Sequence, residues 1–324
     1  MSDVDLDVHH SGEDVTEALR EDVREGLSAA QKWLPSKWFY DARGSELFER
    51  ITELPEYYPT RSEREVLRRE APEIAAVTGA RTLVELGSGS SEKTRLLLDA
   101  LGAYGTLEEF VPLDVSESAL AEAADAIARD YPALTVRGVV GDFTEHLGLL
   151  PGERPRIVAF LGGTIGNFLP ADRAKFLRSV RDVLTEGEWL LLGTDLVKEE
   201  GTLVRAYDDA QGVTAEFNRN VLRVLNERLG ADFDPAAFEH VSHWDAENEW
   251  IEMRLRARAD TRVHIPGAGM EVTFAAGEHV RTEISAKFRP EGVRAELADA
   301  GLAVERWWTD ERGLFGVSLS RAVS

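Results

Sequence analysis

Short apolar runs alternate with helical patterns between residues 62 and 196, and this alternation constrains the fold more than any other feature. The helical patterns cover 62–78, 91–101, 117–130 and 170–184, and the apolar runs cover 81–86, 110–115, 134–143, 156–168 (with the turn that follows) and 188–196. Runs that are apolar almost throughout are typical of parallel strands covered by helices on both faces of a sheet. The sequence therefore predicts an α/β domain with a parallel sheet.

The pattern changes near residue 197, which indicates a second domain. Residues 201–230 have helical spacing, and 237–287 resemble short antiparallel strands. The last segment has the pattern of a helix followed by two strands, so we expect it to rejoin the first sheet. We assign 62–196 plus 288–324 to the first domain and 13–61 plus 197–287 to an inserted α+β domain. The acidic, polar segment 1–12 is expected to be a disordered tail.

Composition excludes several kinds of partner. The 324 residues are 43% hydrophobic, carry a formal charge of −22 and include no cysteine. This charge disfavours nucleic acids and anionic membranes, and the missing thiols exclude disulfides and cysteine-ligated metals. His240 and His243 could share a helix face, but no carboxylate motif accompanies them, and we expect no metal. The polar start is unlike a secretory signal, so we expect a cytoplasmic protein.

The most specific local motif is the glycine-rich stretch VELGSGS at 84–90, which follows a predicted strand and precedes a predicted helix. Glycine lets the backbone approach a ligand closely, although the same pattern also forms simple strand-to-helix turns. Glu92 replaces the third glycine of the dinucleotide motif, and Glu85 adds further negative charge. Both would repel a pyrophosphate but suit a sulfonium, which favours S-adenosylmethionine over NAD. Lys93 either holds the methionine carboxylate or is an ordinary solvated lysine.

Polar groups also stand at the ends of the next three predicted strands. Asp114 could accept the ribose hydroxyls or cap the following helix. Asp142 and the backbone N–H of Phe143 could bind adenine, although an aspartate is also common in turns. Asn167, in the loop GGTIGNF, offers a donor and an acceptor without charge where methyltransferases place the group that meets the nucleophile, unless this loop is only flexible. The combination favours a single nucleoside ligand at one edge of the sheet.

From about residue 13 onward, the chain closely resembles the actinobacterial histidine Nα-methyltransferases of ergothioneine biosynthesis. The segments that carry the resemblance are PSKWFYDARGSELFERITELPEYYPTRSE, TLVELGSGSSEKTRLLLDAL, VGDF, FLGGTIGNF, GTDLVK, RAYDDAQGVTAEFNRNVL and TEISAKFRPE. The resemblance implies a class I Rossmann-like methyltransferase sheet with an inserted substrate-binding domain. It also implies S-adenosylmethionine as the donor of three methyl groups to the α-amino group of L-histidine, which gives hercynine.

The resemblance also implies roles for individual residues. The cofactor would contact Gly87, Lys93, Asp114, Asp142 and Phe143. The amino-acid end of histidine would be held by the catalytic residues Tyr57, Asn167 and Tyr207, and its imidazole by Glu283 and Ser285, with Ile284 between them; Tyr40, Gly162 and Met253 would lie near the substrate. Glu283 and Ser285 share one strand face, which could equally be an outward polar face. Gly163 departs from the serine that is frequent in the family, without removing any of these contacts.

Alternative functions remain open from the sequence. The same cofactor-binding half could serve a methyltransferase for another amino acid or small amine. It could also belong to a non-catalytic S-adenosylmethionine-binding module that regulates a partner, and more distantly to a nicotinamide-dependent dehydrogenase. We expect a monomer.

Overall fold

The computed structural model describes residues 5–9, 12–89, 91, 93–152 and 154–323. Ser90 and Glu92, on which part of the cofactor prediction rests, lie outside the described residues. The helices are α1 (Gly12–Ser28), α2 (Ala42–Glu53), α3 (Pro59–Thr78), α4 (Thr94–Tyr104), α5 (Glu117–Asp130), α6 (Pro170–Val183), α7 (Glu200–Tyr207), α8 (Val213–Leu229) and α9 (Pro290–Asp299). The strands are β1 (Asp5–Val8), β2 (Thr82–Leu86), β3 (Glu109–Asp114), β4 (Thr135–Val140), β5 (Arg156–Phe160), β6 (Trp189–Asp195), β7 (Phe238–Asp245), β8 (Trp250–Ala257), β9 (Thr261–Ile265), β10 (Met270–Phe274), β11 (His279–Ala286), β12 (Leu302–Thr309) and β13 (Phe315–Ala322).

The chain divides into two compact units. The first contains the described residues of 1–9, 59–197 and 287–324, and the second contains those of 10–58 and 198–286. The domain assignment from the sequence, 62–196 plus 288–324 and 13–61 plus 197–287, stays a prediction. The roles that we assigned to the two domains, cofactor binding and substrate binding, stay predictions.

A mixed sheet forms the centre of the first unit. Within the described residues it has eight strands in the order β1-β4-β3-β2-β5-β6-β13-β12. The strands from β1 to β6 pair in parallel, and β13 pairs antiparallel with both β6 and β12. The C-terminal segment thus returns to the first sheet and places its last strand inside it. The parallel α/β sheet predicted from the alternating pattern is confirmed.

Helices cover this sheet because each presents an apolar stripe to it. Val66, Leu67 and Ile74 of α3 repeat at helical spacing and are fully buried in one core cluster with Leu83 and Phe110 of the sheet. Burial of each such side chain stabilises the folded state by roughly 1.5–3 kcal/mol. A close-packed core of this kind holds the strand ends, and the loops that follow them, in fixed positions.

The prediction of a disordered tail over 1–12 is wrong for residues 5–8. These residues form β1, which pairs in parallel with β4 at the edge of the sheet, with Leu6 opposite Gly138. Strand addition at an edge uses backbone hydrogen bonds, which leave little trace in a short sequence of alternating polar and apolar residues. Residues 1–4, 10 and 11 of the predicted tail lie outside the described residues.

The second unit combines helices with small antiparallel sheets. Strands β11, β8 and β7 form one sheet in that order, and β9 pairs with β10. The helical stretch expected over 201–230 divides into α7 and α8, because Asp209 accepts hydrogen bonds from the first backbone N–H groups of α8. His240 and His243 lie on β7 and not on a helix, so residues three apart point to opposite faces of the strand. Within the described part of the chain, no helix has the length and apolarity to cross a bilayer.

Candidate active site

Four glycines with left-handed backbone conformations follow β2 and β5 in the first unit. Gly87 and Gly89 have φ of 68° and 47°, and Gly162 and Gly163 have φ of 80° and 72°. Side chains are disfavoured in this region, so these loops require glycine. The strand order reverses between β2 and β5. Open α/β sheets bind ligands in the crevice at such a reversal, beyond the carboxyl ends of the strands.

Asp114 ties the loop after β2 to the loop after β3. One carboxylate oxygen accepts from Gly89 N at 3.1 Å, and the other accepts from Ser116 N at 3.0 Å. Burial raises the pKa of this carboxyl, although its backbone hydrogen bonds act in the opposite direction. The residue that caps α5 is not Asp114 but Ser116, whose hydroxyl accepts from Ala119 N. Asp114 therefore stands beside the glycine loop, as the prediction of a ribose contact requires.

Asp142 and Phe143 lie on the loop after β4. Asp142 Oδ1 accepts from the backbone N–H and the hydroxyl of Thr144, at 2.8 and 2.6 Å. This oxygen therefore stabilises a turn, which is the alternative to adenine binding given above. The Phe143 ring packs 5.2 Å from the ring of Phe160. A Cβ placed on Gly87 would lie 3.7 Å from the Phe143 ring. The structure thus brings together Gly87 and Phe143, two of the predicted cofactor contacts.

A buried carboxylate that sequence reasoning missed, Glu63 on α3, organises the crevice. Its side chain is fully buried and forms an ion pair with Lys93, whose side chain is 20% exposed. The two oxygens of Glu63 also accept from Gly162 N, at 2.8 and 3.0 Å. Lys93 is therefore not an ordinary solvated lysine. The sequence signal that could have identified Glu63 is the helical spacing of α3, which places it on the same buried stripe as Val66 and Leu67.

Glu85, at the end of β2, is a second buried carboxyl group. It accepts hydrogen bonds from the hydroxyls of Thr94 and Ser91, the latter at 3.2 Å. Burial raises its pKa to about 7, against the opposing effects of these hydroxyls and of Lys93. In its ionised form this group would favour a positively charged ligand over a pyrophosphate.

The second unit brings four of the predicted substrate residues into one continuous set. The rings of Tyr57 and Tyr207 are edge-to-face with centroids 6.4 Å apart, and Phe48, which sequence reasoning missed, links Tyr57 to Tyr40. The hydroxyl of Tyr207 lies 2.7 Å from the hydroxyl of Ser285. Both groups are buried, so this hydrogen bond fixes the position of Tyr207 relative to β11.

A β-bulge in β11 decides which way the predicted imidazole ligands face. Arg281 pairs with Arg254, and Glu283 pairs with the next residue back along β8, Met253, so Thr282 is an extra residue on β11. An extra residue reverses the alternation of faces that follows it. Glu283 therefore lies on the face of Met253, opposite to the face of Arg281.

The bulge also determines the faces of the two residues that follow Glu283. Ser285 pairs with Ile251, and both are buried on the same face as Met253. The alternative of an outward polar face is therefore wrong for Ser285. Ile284 pairs with Glu252, so its side chain lies on the face opposite to those of Glu283 and Ser285, because neighbouring strand residues point to opposite sides of a sheet. Its contact with the substrate stays a prediction.

The remaining predicted residues belong to the first unit. Asn167 ends a short 3₁₀ helix, Thr164–Asn167, and is half-buried, and Gly162 is exposed. Their contact with the substrate stays a prediction. Among the described residues, no group of three or more histidine and carboxylate side chains is arranged to hold a metal ion.

Comparison with solved structures identifies the fold that this topology defines. The chain resembles an S-adenosylmethionine-dependent methyltransferase from Clostridium acetobutylicum, with a TM-score of 0.50 and 12% identity, over 86% of this chain and 99% of that chain. This similarity shows the fold of S-adenosylmethionine-dependent methyltransferases.

Sequence comparison narrows the class to a family. The model of the histidine-specific, S-adenosylmethionine-dependent methyltransferases matches residues 19–322. A histidine N-alpha-methyltransferase of Mycolicibacterium smegmatis is 58% identical over 96% of this chain and 97% of that protein. Ergothioneine biosynthesis protein 1 of Neurospora crassa is 32% identical over 89% of this chain and 33% of that protein. The chain belongs to the family of histidine-specific, S-adenosylmethionine-dependent methyltransferases.

Proposed function

We propose that this protein transfers three methyl groups from S-adenosylmethionine to the α-amino group of L-histidine, giving hercynine for ergothioneine biosynthesis. The observation that carries the proposal is the 58% identity, over nearly the full length, to a histidine N-alpha-methyltransferase. The similarity to a protein named for ergothioneine biosynthesis supports the use of hercynine in that pathway.

The residues of the first unit fit the methyl donor. Gly87, Lys93, Asp114, Asp142 and Phe143 would hold it, and it supplies an electrophilic methyl group on a positively charged sulfur. The left-handed glycine of the loop leaves space for a nucleoside beside the Phe143 ring. An ammonium group has three N–H donors, so the pairing of Lys93 with Glu63 leaves donors for a methionine carboxylate.

The predicted ligands of the amino-acid end are neutral. Methylation requires the lone pair of an uncharged amine, and a carboxylate beside the amine would stabilise the ammonium form instead. The hydroxyls of Tyr57 and Tyr207 and the amide of Asn167 can orient the amine and the α-carboxylate without forming such an ion pair. The role of these residues is alignment of the amine for displacement, which is a large part of the rate enhancement in two-substrate reactions.

The imidazole ligands account for substrate choice. Glu283 would accept the N–H of the ring, and Ser285 would bond the second nitrogen while its hydroxyl is held by Tyr207 at 2.7 Å. An apolar side chain in place of the imidazole would offer neither group a hydrogen bond, at a cost of about 2–5 kcal/mol. This arrangement favours histidine over other amino acids.

The test is a mass-spectrometric assay of L-histidine with S-adenosylmethionine. Products carrying one, two and finally three methyl groups are expected. Calorimetric titration with a panel of amino acids distinguishes a different amine substrate, and donor binding without any methylated product would indicate a non-catalytic module. A monomeric state, activity without a metal ion and a cytoplasmic location stay predictions, to be checked by light scattering, chelation and fractionation of the cells.

A further inference from the structure

A buried chain of polar side chains in the second unit connects Tyr207 to the bulge of β11. His240 Nε2 lies 2.8 Å from the backbone oxygen of Tyr207, and His240 Nδ1 lies 2.8 Å from Asn218 Nδ2. Asn218 Nδ2 also donates to Arg254 O at 3.1 Å. The hydroxyl of Thr282 lies 2.6 Å from Asn218 Oδ1 and 3.0 Å from Met253 O. All the side chains in this chain of contacts are buried.

The partners of Asn218 and His240 determine which of their side-chain atoms donate and which accept. The two N–H groups of Asn218 point to Arg254 O and His240 Nδ1, so His240 Nδ1 accepts and Nε2–H donates to Tyr207 O. The ring is then neutral. Burial lowers the pKa of His240, an effect assisted by Arg219 and opposed by the Tyr207 carbonyl and by Asp208, whose carboxylate lies 3.9 Å from Nε2.

Thr282, at the other end, is the extra residue of the bulge. The bulge places Glu283 and Ser285 on the same face as Met253, and a strand without it would turn Glu283 to the face of Arg281. Bulges carry a residue without a cross-strand partner, and the side chain of that residue must find its hydrogen bonds elsewhere. Here the single hydrogen of the Thr282 hydroxyl is shared between two acceptors, Asn218 Oδ1 at 2.6 Å and Met253 O at 3.0 Å.

We propose that His240, Asn218 and Thr282 are positioning residues for the histidine site, which fix Tyr207 at one end of the chain and the bulge that orients Glu283 and Ser285 at the other. The inference rests on the proposed function, because it assumes that these residues bind histidine. None of the three positioning residues needs to contact the substrate.

A pair of substitutions at Thr282 tests this role. Thr282→Val keeps the branched shape and removes the hydroxyl, whereas Thr282→Ser keeps the hydroxyl. We expect Thr282→Val to raise the KM for L-histidine about tenfold, because a buried hydrogen bond is lost, while the Kd for S-adenosylmethionine is unchanged. Thr282→Ser should retain most of the wild-type value. Thr273→Val, on an exposed position of β10, is the control for the exchange itself.

Two results would overturn the inference. One is wild-type kinetics in Thr282→Val, and the other is an equal loss in Thr282→Ser, which would show that the hydroxyl is not the group that matters. Wild-type turnover separates the two proposals. A wild-type protein that does not methylate histidine refutes the proposed function, whereas normal wild-type turnover together with unchanged kinetics in Thr282→Val refutes only the positioning role.

A measurement on the unsubstituted protein covers the case in which Thr282→Val does not fold. With ¹⁵N-labelled histidine side chains, NMR should show His240 neutral with its proton on Nε2. Unlabelled L-histidine should slow the solvent exchange of this proton, because binding stabilises the arrangement that it requires. A proton on Nδ1, or exchange that does not respond to L-histidine, would contradict the positioning role.

Discussion

Replacement of Glu63 by glutamine removes one charge from the crevice of the first unit and little else. The glutamine oxygen can still accept from Gly162 N, so the change isolates the ion pair with Lys93. Breaking a buried pair by removing one partner costs about 3–5 kcal/mol, because the other charge is left uncompensated. The Lys93 side chain is 20% exposed and can regain some hydration, so we expect a loss of about 2–3 kcal/mol in the free energy of unfolding.

Urea unfolding followed by tryptophan fluorescence measures this loss. The midpoint for Glu63→Gln should fall by on the order of 0.5–1 M relative to wild type. Glu73→Gln is the matched control, because Glu73 lies on the same helix in an exposed ion pair with Arg306, at 2.8 Å; such pairs contribute about 0–1 kcal/mol. Equal shifts in the two variants would refute the reasoning.

A second substitution should reproduce the effect without changing a charge. A Cβ on Gly193 of β6 would lie 2.1 Å from Glu63 Oε1. Gly193→Ala must therefore displace the carboxylate or the strand, and we expect a destabilisation at least as large as that of Glu63→Gln. Wild-type stability in Gly193→Ala would show that the carboxylate can move without cost.

Three further predictions concern the remaining polar groups. Glu283→Ala should abolish turnover of histidine and leave the affinity for S-adenosylmethionine unchanged in calorimetry; unchanged turnover would remove the substrate assignment. Tyr207→Phe deprives the buried Ser285 hydroxyl of a partner and should raise the KM for histidine about tenfold. Tyr104→Phe, at an exposed position, is the control, and equal kinetics in both variants would contradict a role for the contact between Tyr207 and Ser285. From about pH 4.5 to about 7, Glu85 is ionised in the unfolded chain but protonated in the folded protein. The folded state then binds more protons, so this contribution to stability falls as the pH rises, by about 1.4 kcal/mol per unit at most. Glu85→Gln should remove this dependence, and equal slopes in the unfolding free energies of the two proteins would refute it.

Much of the fold could be predicted because its signals are local. The five predicted runs from 81–86 to 188–196 became β2 to β6, and the left-handed glycine loops lie at their carboxyl ends. Apolar periodicity and glycine turns act within a few residues of each other, so one sequence shows them directly. Strand β1 could not be predicted, because edge pairing depends on backbone groups that every sequence has.

The site was predicted less completely, because its contacts join distant parts of the chain. Lys93 was identified without its partner Glu63, which lies thirty residues away. Ile284 was placed beside Glu283 by sequence adjacency, although the strand turns it to the opposite face. His240 was considered as a helical metal ligand, and the structure gives it hydrogen bonds to Asn218 and Tyr207 instead.

The sequence by itself determined the order of helices and strands between residues 62 and 196, the family and the residue types gathered at the strand ends. Only the tertiary structure decided the faces and partners of those residues. The bulge at Thr282 shows the physical reason: Glu283 and Ser285 have the same spacing with or without an extra residue on β11. Which face they occupy depends on the register against β8, and that register arises from cross-strand hydrogen bonds and packing that no local pattern encodes.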